Sequence, residues 1–135
     1  MLPVIALIGS PNVGKSTLFN RLTKSRDAIV ADFPGLTRDR QYGYGKIGSI
    51  PYLVIDTGGI TGGEEGINEL MVQQTSEAIK EADILIVMVD GRAGPSASDQ
   101  HIIEITRTYS NKIWFVVNKT EGLDIDIAVS EFQNF

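Results

Sequence analysis

Gly9-Ser10-Pro11-Asn12-Val13-Gly14-Lys15-Ser16 lies between a short apolar run, Leu2 to Ile8, and Thr17-Leu18-Phe19-Asn20-Arg21-Leu22, which has the pattern of a helix. A strand that turns sharply into a helix aims a row of backbone N–H groups, and the positive end of the helix dipole, at one point. Such a point holds phosphate. Gly9 and Gly14 are expected there because they tolerate backbone angles that a side chain forbids. Lys15 has the reach to touch the outer phosphates, and the Ser16 hydroxyl suits Mg²⁺. The plainer alternative is a glycine-bearing turn with a surface lysine, which leaves the strand before and the helix after unexplained. The stretch predicts a nucleoside polyphosphate as ligand.

The rest of the composition narrows the classes. At 135 residues the chain supports one compact domain, and its 42 % hydrophobic content is that of an ordinary soluble chain. Cysteine is absent, which excludes disulfides and thiolate metal sites. A single histidine, His101, argues against His-based triads and multi-His metal sites, and its neighbours Asp99 and Gln100 place it at the surface. No apolar run approaches the ~20 residues of a membrane helix. The first strand begins close to Met1 with no room for a secretory leader, so a cytoplasmic location without a membrane partner is expected. The net charge of −5 argues against non-specific nucleic-acid binding by the bulk surface. It does not oppose an anionic ligand held by local N–H groups, Lys15 and a metal ion.

Short apolar runs at Pro3–Ile8, Ile84–Val89 and Ile113–Val117 read as central strands covered on both faces, with Tyr52–Ile55 a shorter one. Gln41–Ile47 is more polar and interrupted by glycine, which predicts an edge strand. Ile47–Pro51 would be the hairpin turn that makes it antiparallel to its neighbour. Leu18, Phe19 and Leu22 share a helix face. Ile67, Leu70, Met71, Ala78, Ile79 and Ala82 predict a helix over about Asn68 to Glu81. Ile102, Ile105, Thr106 and Tyr109 predict another, capped by Ser96 or Ser98, and Ile125, Ala128, Val129 and Phe132 a last one from Asp124. All these stripes are read as core packing. Alternation of strands and helices predicts an α/β fold, a mostly parallel doubly wound sheet with helices on both faces. Ligands in such sheets bind beyond the carboxyl ends of the strands, where the residues after Ile8, Ile55, Val89 and Val117 all fall. Lys24–Arg40 and the glycine-rich Thr57–Gly66 read as loops beside that site, suited to a ligand-controlled switch.

Further along, Ile55-Asp56-Thr57-Gly58-Gly59 puts a carboxylate at the tip of a buried strand, where Asp56 can hold Mg²⁺ through a water opposite Ser16. Gly59 lets its N–H approach a terminal phosphate, and Thr37 offers a further Mg²⁺ ligand. Asn118-Lys119-Thr120-Glu121 ends a strand with an amide, a long aliphatic stem and a carboxylate, groups able to grip the edge and face of a purine. The ordered set GSPNVGKS, Thr37, DTGG and NKTE resembles the GTPase superfamily of phosphate-loop proteins. More narrowly, VADFPGLTRDR at Val30–Arg40 and IDTGGI at Ile55–Ile60 are similar to the first G domain of the bacterial tandem GTPase family EngA/Der, whose members assemble the large ribosomal subunit. The resemblance runs over essentially the whole chain.

By position, the resemblance implies that the backbone of Asn12, Val13, Gly14, Lys15, Ser16 and Thr17, with the Lys15 side chain, cradles the phosphates. It implies Ser16 and Thr37 as Mg²⁺ ligands with Asp56 behind them, Gly59 on the γ-phosphate, and Asn118, Lys119 and Glu121 on guanine. Lys15, Thr37 and Gly59 would then be the catalytic set. Ile60 stands where many regulatory GTPases carry the glutamine that orients water, and relatives sharing that change use K⁺ held partly by an asparagine matching Asn12. Slow GTP hydrolysis, stimulated by K⁺, is implied. Arg38 and Arg40 are read as surface arginines.

Two departures matter. Glu121 replaces the family's aspartate, a stem one methylene longer, with guanine still favoured over adenine. The Ser-Ala-type guanine motif is also absent, so the chain is expected to be a monomeric, C-terminally truncated single G domain over residues 1–135, with Ile113–Val117 left as an apolar edge. Competing functions are a nucleotide-dependent binding module without turnover, and a small-molecule kinase or ATPase on the same loop. The latter would need an acceptor pocket and an arginine-bearing lid that the sequence does not display.

Overall fold

The structure, a computed structural model, describes residues 2–10, 13–24, 41–57, 69–108 and 112–132. In chain order these form β1 (Val4–Gly9), α1 (Lys15–Thr23), β2 (Gln41–Tyr44), β3 (Leu53–Asp56), α2 (Glu69–Glu81), β4 (Ile84–Asp90), α3 (Ala97–Arg107), β5 (Lys112–Asn118) and α4 (Ile125–Ser130). One sheet runs β2-β3-β1-β4-β5. β1 pairs in parallel with β3 (Leu7 opposite Asp56) and with β4 (Gly9 opposite Met88), while β4 pairs in parallel with β5 (Asp90 opposite Asn118). β2 is the antiparallel edge predicted from its glycine and polar residues. The chain leaves β1 first toward β3 and later toward β4, so its topological switch point lies at the carboxyl end of β1.

Alternate residues of β1 face opposite layers, as the pleat requires. Ala6 and Ile8 join Ile55, Leu85 and Val87 under Ala78, Ile79 and Ala82 of the α2 segment and Ile102 and Ile103 of α3. Leu7, Val54, Ile86 and Met88 face the other way, onto Phe19 of α1 and Val13, with Leu18 and Leu22 at the margin. Gly43 marks where α1 lies on β2: a Cβ there would sit 2.6 Å from Thr23 Cγ2 and 2.9 Å from Phe19 Cζ. The glycine that interrupts β2 is thus a packing requirement.

α3 begins with a capping box. Asp99 N–H donates to Ser96 Oγ at 3.0 Å, and the Asp99 carboxylate accepts from Ser96 N–H at 3.1 Å, which settles the cap on Ser96. α4 starts on Asp124, whose carboxylate accepts from the N–H groups of Asp126 and Ile127.

One expectation is met and another needs correction. β5 is the apolar edge expected of Ile113–Val117, with Ile113, Trp114 and Phe115 exposed. Of the predicted stripe only Ala128 in α4 and Phe132 just beyond it are buried, with Phe132 set against Phe115, whereas Ile125 and Val129 face outward. A stripe can be helical in period and still lack a surface to lie on. His101 is exposed, as expected. Among the described residues no helix is long and apolar enough to cross a membrane.

Candidate functional site

β1 delivers the chain to the sheet's switch point and α1 takes it away. Between them Gly14 is the N-cap of α1, with φ 109° and ψ 13°, a left-handed conformation that costs a side-chain-bearing residue about 1 kcal/mol or more. A Cβ on Gly14 would also stand 2.3 Å from Asn118 Nδ2. Gly9 is needed for a different reason from the one read in the sequence. Its φ is not in the left-handed region, but a Cβ would come within 2.5 Å of the Met88 carbonyl oxygen.

Among the described residues no side chain caps α1, and no acidic residue lies in its first turn. The N–H groups that open a helix have no partner within it, so this end presents donors and partial positive charge to an anion.

The Lys15 side chain curls beneath the loop. Its ammonium donates to the Gly9 carbonyl and, at 2.8 Å, to the Ser10 carbonyl, and it is 5 % exposed. Burial lowers its pKa from 10.5 to about 8, against the opposing pull of Asp56 and Asp99. The amine is held at the loop's centre with its donors directed at main-chain oxygens.

Asp56 ends β3 fully buried, and Ser16 Oγ donates to its Oδ2 at 3.2 Å. Beside it Thr57 Oγ1 donates to the Leu7 carbonyl at 3.0 Å, which ties the end of β3 to β1. Ser16 and Asp56 present oxygen atoms only, the donor chemistry that Mg²⁺ takes. Among the described residues no group of three or more His, Cys, Asp or Glu could hold a metal. Mg²⁺ commonly draws several of its ligands from phosphate and water.

At the end of β5 the Asn118 amide donates from Nδ2 to the Val13 carbonyl at 2.9 Å, so the loop after β5 is bonded directly to the loop between β1 and α1. Lys119 adopts φ 60° and pairs with Asp90 at 3.4 Å. Burial would raise the Asp90 pKa, but the N–H groups of Ala93 and Arg92 and the Lys119 ammonium outweigh it and hold it below the usual value. Glu121 is exposed, and its main-chain carbonyl accepts from Arg92 Nη2.

The structure thus gathers Val13, Gly14, Lys15, Ser16, Thr17, Asp56 and Asn118 at the switch point, with Lys119 and Glu121 on the adjoining loop. Asn12, Thr37 and Gly59 lie outside the described residues, as do most of the two loops read as switches. Two contributors escape the sequence reading. Asp99, buried at the start of α3, accepts from Ser10 Oγ at 3.1 Å and so links α3 to the phosphate loop. The Ser-x-x-Asp spacing of its capping box was the available signal. Arg92 carries no such signal, because its partner is a main-chain carbonyl 29 residues away.

The family model described as "50S ribosome-binding GTPase" matches residues 4–119. GTPase Der of Thioalkalivibrio sulfidiphilus is 61 % identical over 132 residues, covering 98 % of this chain and 28 % of its own length. The chain thus spans little more than a quarter of that curated relative. Among solved structures, a variant of Aquifex aeolicus Era bound to GDP.AlF4- superposes with a TM-score of 0.74 at 26 % identity, covering 98 % of this chain and 46 % of that one. Era in complex with MgGDPNP and a segment of 16S ribosomal RNA gives 0.75 at 26 % identity, covering 98 % and 47 %. The resemblance to EngA/Der and the phosphate-loop GTPase fold are both borne out.

Proposed function

Because the chain belongs to the 50S ribosome-binding GTPase family, we propose that it binds GTP and GDP with Mg²⁺, hydrolyses GTP slowly, and serves as a nucleotide-controlled switch in assembly of the large ribosomal subunit. The observation that carries this reading is the uncapped start of α1 wrapped around a buried lysine. In this reading the main chain from Asn12 to Thr17 receives the phosphate oxygens, and the Lys15 ammonium exchanges the Gly9 and Ser10 carbonyls for phosphate. Ser16 would hold Mg²⁺ directly, with Asp56 behind it and Thr37 as a further ligand; the ion supplies neutralisation of charge on the transferring phosphoryl group. Gly59 would bring an N–H to the γ-phosphate.

Asn118 and Lys119 would flank the guanine ring, and the Glu121 carboxylate, an acceptor only, would take the donors on its edge. Ile60 offers no group to orient a water, so turnover rests on positioning and charge, and is slow. K⁺ stimulation belongs to the same proposal, with Asn12 its expected holder. The ribosomal role is supported by the family description and by the complex of Era with ribosomal RNA.

Affinities for GTP, GDP and ATP in Mg²⁺, measured alongside phosphate release in KCl and in NaCl, test the proposal. Guanine preference with slow, K⁺-stimulated release is expected. Equal rates in the two salts remove the K⁺ part. Binding without release leaves a switch and no enzyme, and preference for ATP overturns the reading.

A further inference from the structure

The turn after β4 and the loop after β5 are fastened at several points. Gly91 N–H donates to the Asn118 carbonyl at 2.7 Å, Asp90 pairs with Lys119 at 3.4 Å, and Arg92 Nη2 donates to the Glu121 carbonyl. Gly91 leaves no slack: a Cβ there would meet Val117 Cγ1 at 2.8 Å, the Asn118 oxygen at 3.0 Å and Thr120 Cγ2 at 3.2 Å. Asp90 is itself fixed, accepting from the N–H groups of Arg92 at 2.9 Å and Ala93 at 3.0 Å.

The loop so held is strained. Lys119 has φ 60°, a left-handed conformation uncommon for a residue with a side chain, while Gly122 takes φ 78° as glycine readily does. Such backbone persists only where its surroundings over-determine it. Glu121 sits between these two residues. Its carboxylate hangs on a stem one methylene longer than that of aspartate, so the position of its main chain decides where the acceptor oxygens fall.

We propose that Arg92, together with Asp90, is a positioning residue for base recognition, holding the Asn118–Glu121 loop so that Glu121 can discriminate guanine from purines lacking its 2-amino donor. The proposal rests on the guanine reading above. Arg92 touches no ligand in this account; it acts through the Glu121 main chain. A site built to bond a donor rejects the analogue that lacks it, because a desolvated acceptor is then left unpaired. Discrimination should therefore be lost when the loop is released, even with the carboxylate still present.

The test compares wild type, Arg92→Ala and Arg92→Lys for binding of GDP, IDP, ADP and inorganic tripolyphosphate, each with Mg²⁺. Wild type is expected to favour GDP over IDP by about tenfold, the worth of one hydrogen bond to a charged group. Arg92→Ala should lose most of that preference while binding tripolyphosphate as wild type does, and Arg92→Lys, which keeps a donor, should recover part of it. An unchanged GDP-to-IDP ratio in Arg92→Ala overturns the positioning role alone. So does a proportionate loss of tripolyphosphate binding, which marks general damage. Wild type binding GDP, IDP and ADP equally overturns the guanine reading, and the positioning role with it.

Discussion

Burial between the Gly9 and Ser10 carbonyls makes the Lys15 ammonium easier to deprotonate than an ordinary lysine, with a pKa of about 8 in place of 10.5. Between those values the unfolded chain holds the proton and the folded chain does not, so folding stability rises with pH across that window. In nucleotide-free urea melts, the stability of wild type relative to Lys15→Met should climb by on the order of 2 kcal/mol from pH 7.5 to pH 9.5. Parallel curves would show that Lys15 is not desolvated. In the proposed function a bound phosphate would restore the charged form of Lys15. At this scale the sequence was most legible where residue type and motif coincide, as at Lys15 and Gly14. It was least so at Gly9, whose requirement comes from the Met88 carbonyl of a strand far away in sequence.

Between elements, the phosphate loop is secured from two sides that no local pattern reveals. Asn118 bonds Val13 from the end of β5, and Asp99 bonds Ser10 from the start of α3. In the proposed function Asn118 would therefore serve the phosphates besides the base. Asn118→Ala should weaken binding of inorganic tripolyphosphate as well as of GDP, by roughly fivefold to tenfold, the loss expected for one hydrogen bond. Calorimetry with both ligands decides it: if tripolyphosphate binding is untouched, the Asn118–Val13 bond does not order the loop. Strand and helix positions were readable from period and length, to within a residue or two at most ends. The partners of capping and loop side chains were not, because a hydrogen bond across roughly a hundred residues leaves no spacing to read.

For the molecule as a whole, the sheet is closed on one side by the short antiparallel β2 and ends on the other with β5, whose outer residues are apolar. Trp114 is 56 % exposed and is the only tryptophan. An apolar strand edge invites pairing between chains, and a charge placed on it opposes that. Trp114→Lys should raise the concentration at which light scattering first appears, with thermal stability changed by less than about 0.5 kcal/mol, as for other exposed positions. Unchanged scattering would locate the association elsewhere. The layered α/β architecture and its switch point followed from the alternation of apolar runs. The exposure of α4 could not follow from it, since periodicity reports which face is apolar and not what covers it.

All three scales bear on one proposed cradle, in which helix-start amides, a buried amine and a pair of oxygen-bearing side chains would receive a polyphosphate. The most direct measurement is the dissociation constant of GDP with Mg²⁺ for wild type and Lys15→Ala. A loss of about 100-fold is expected, the worth of charge-assisted hydrogen bonds made in a desolvated loop. Equal affinity for the two proteins would contradict the account.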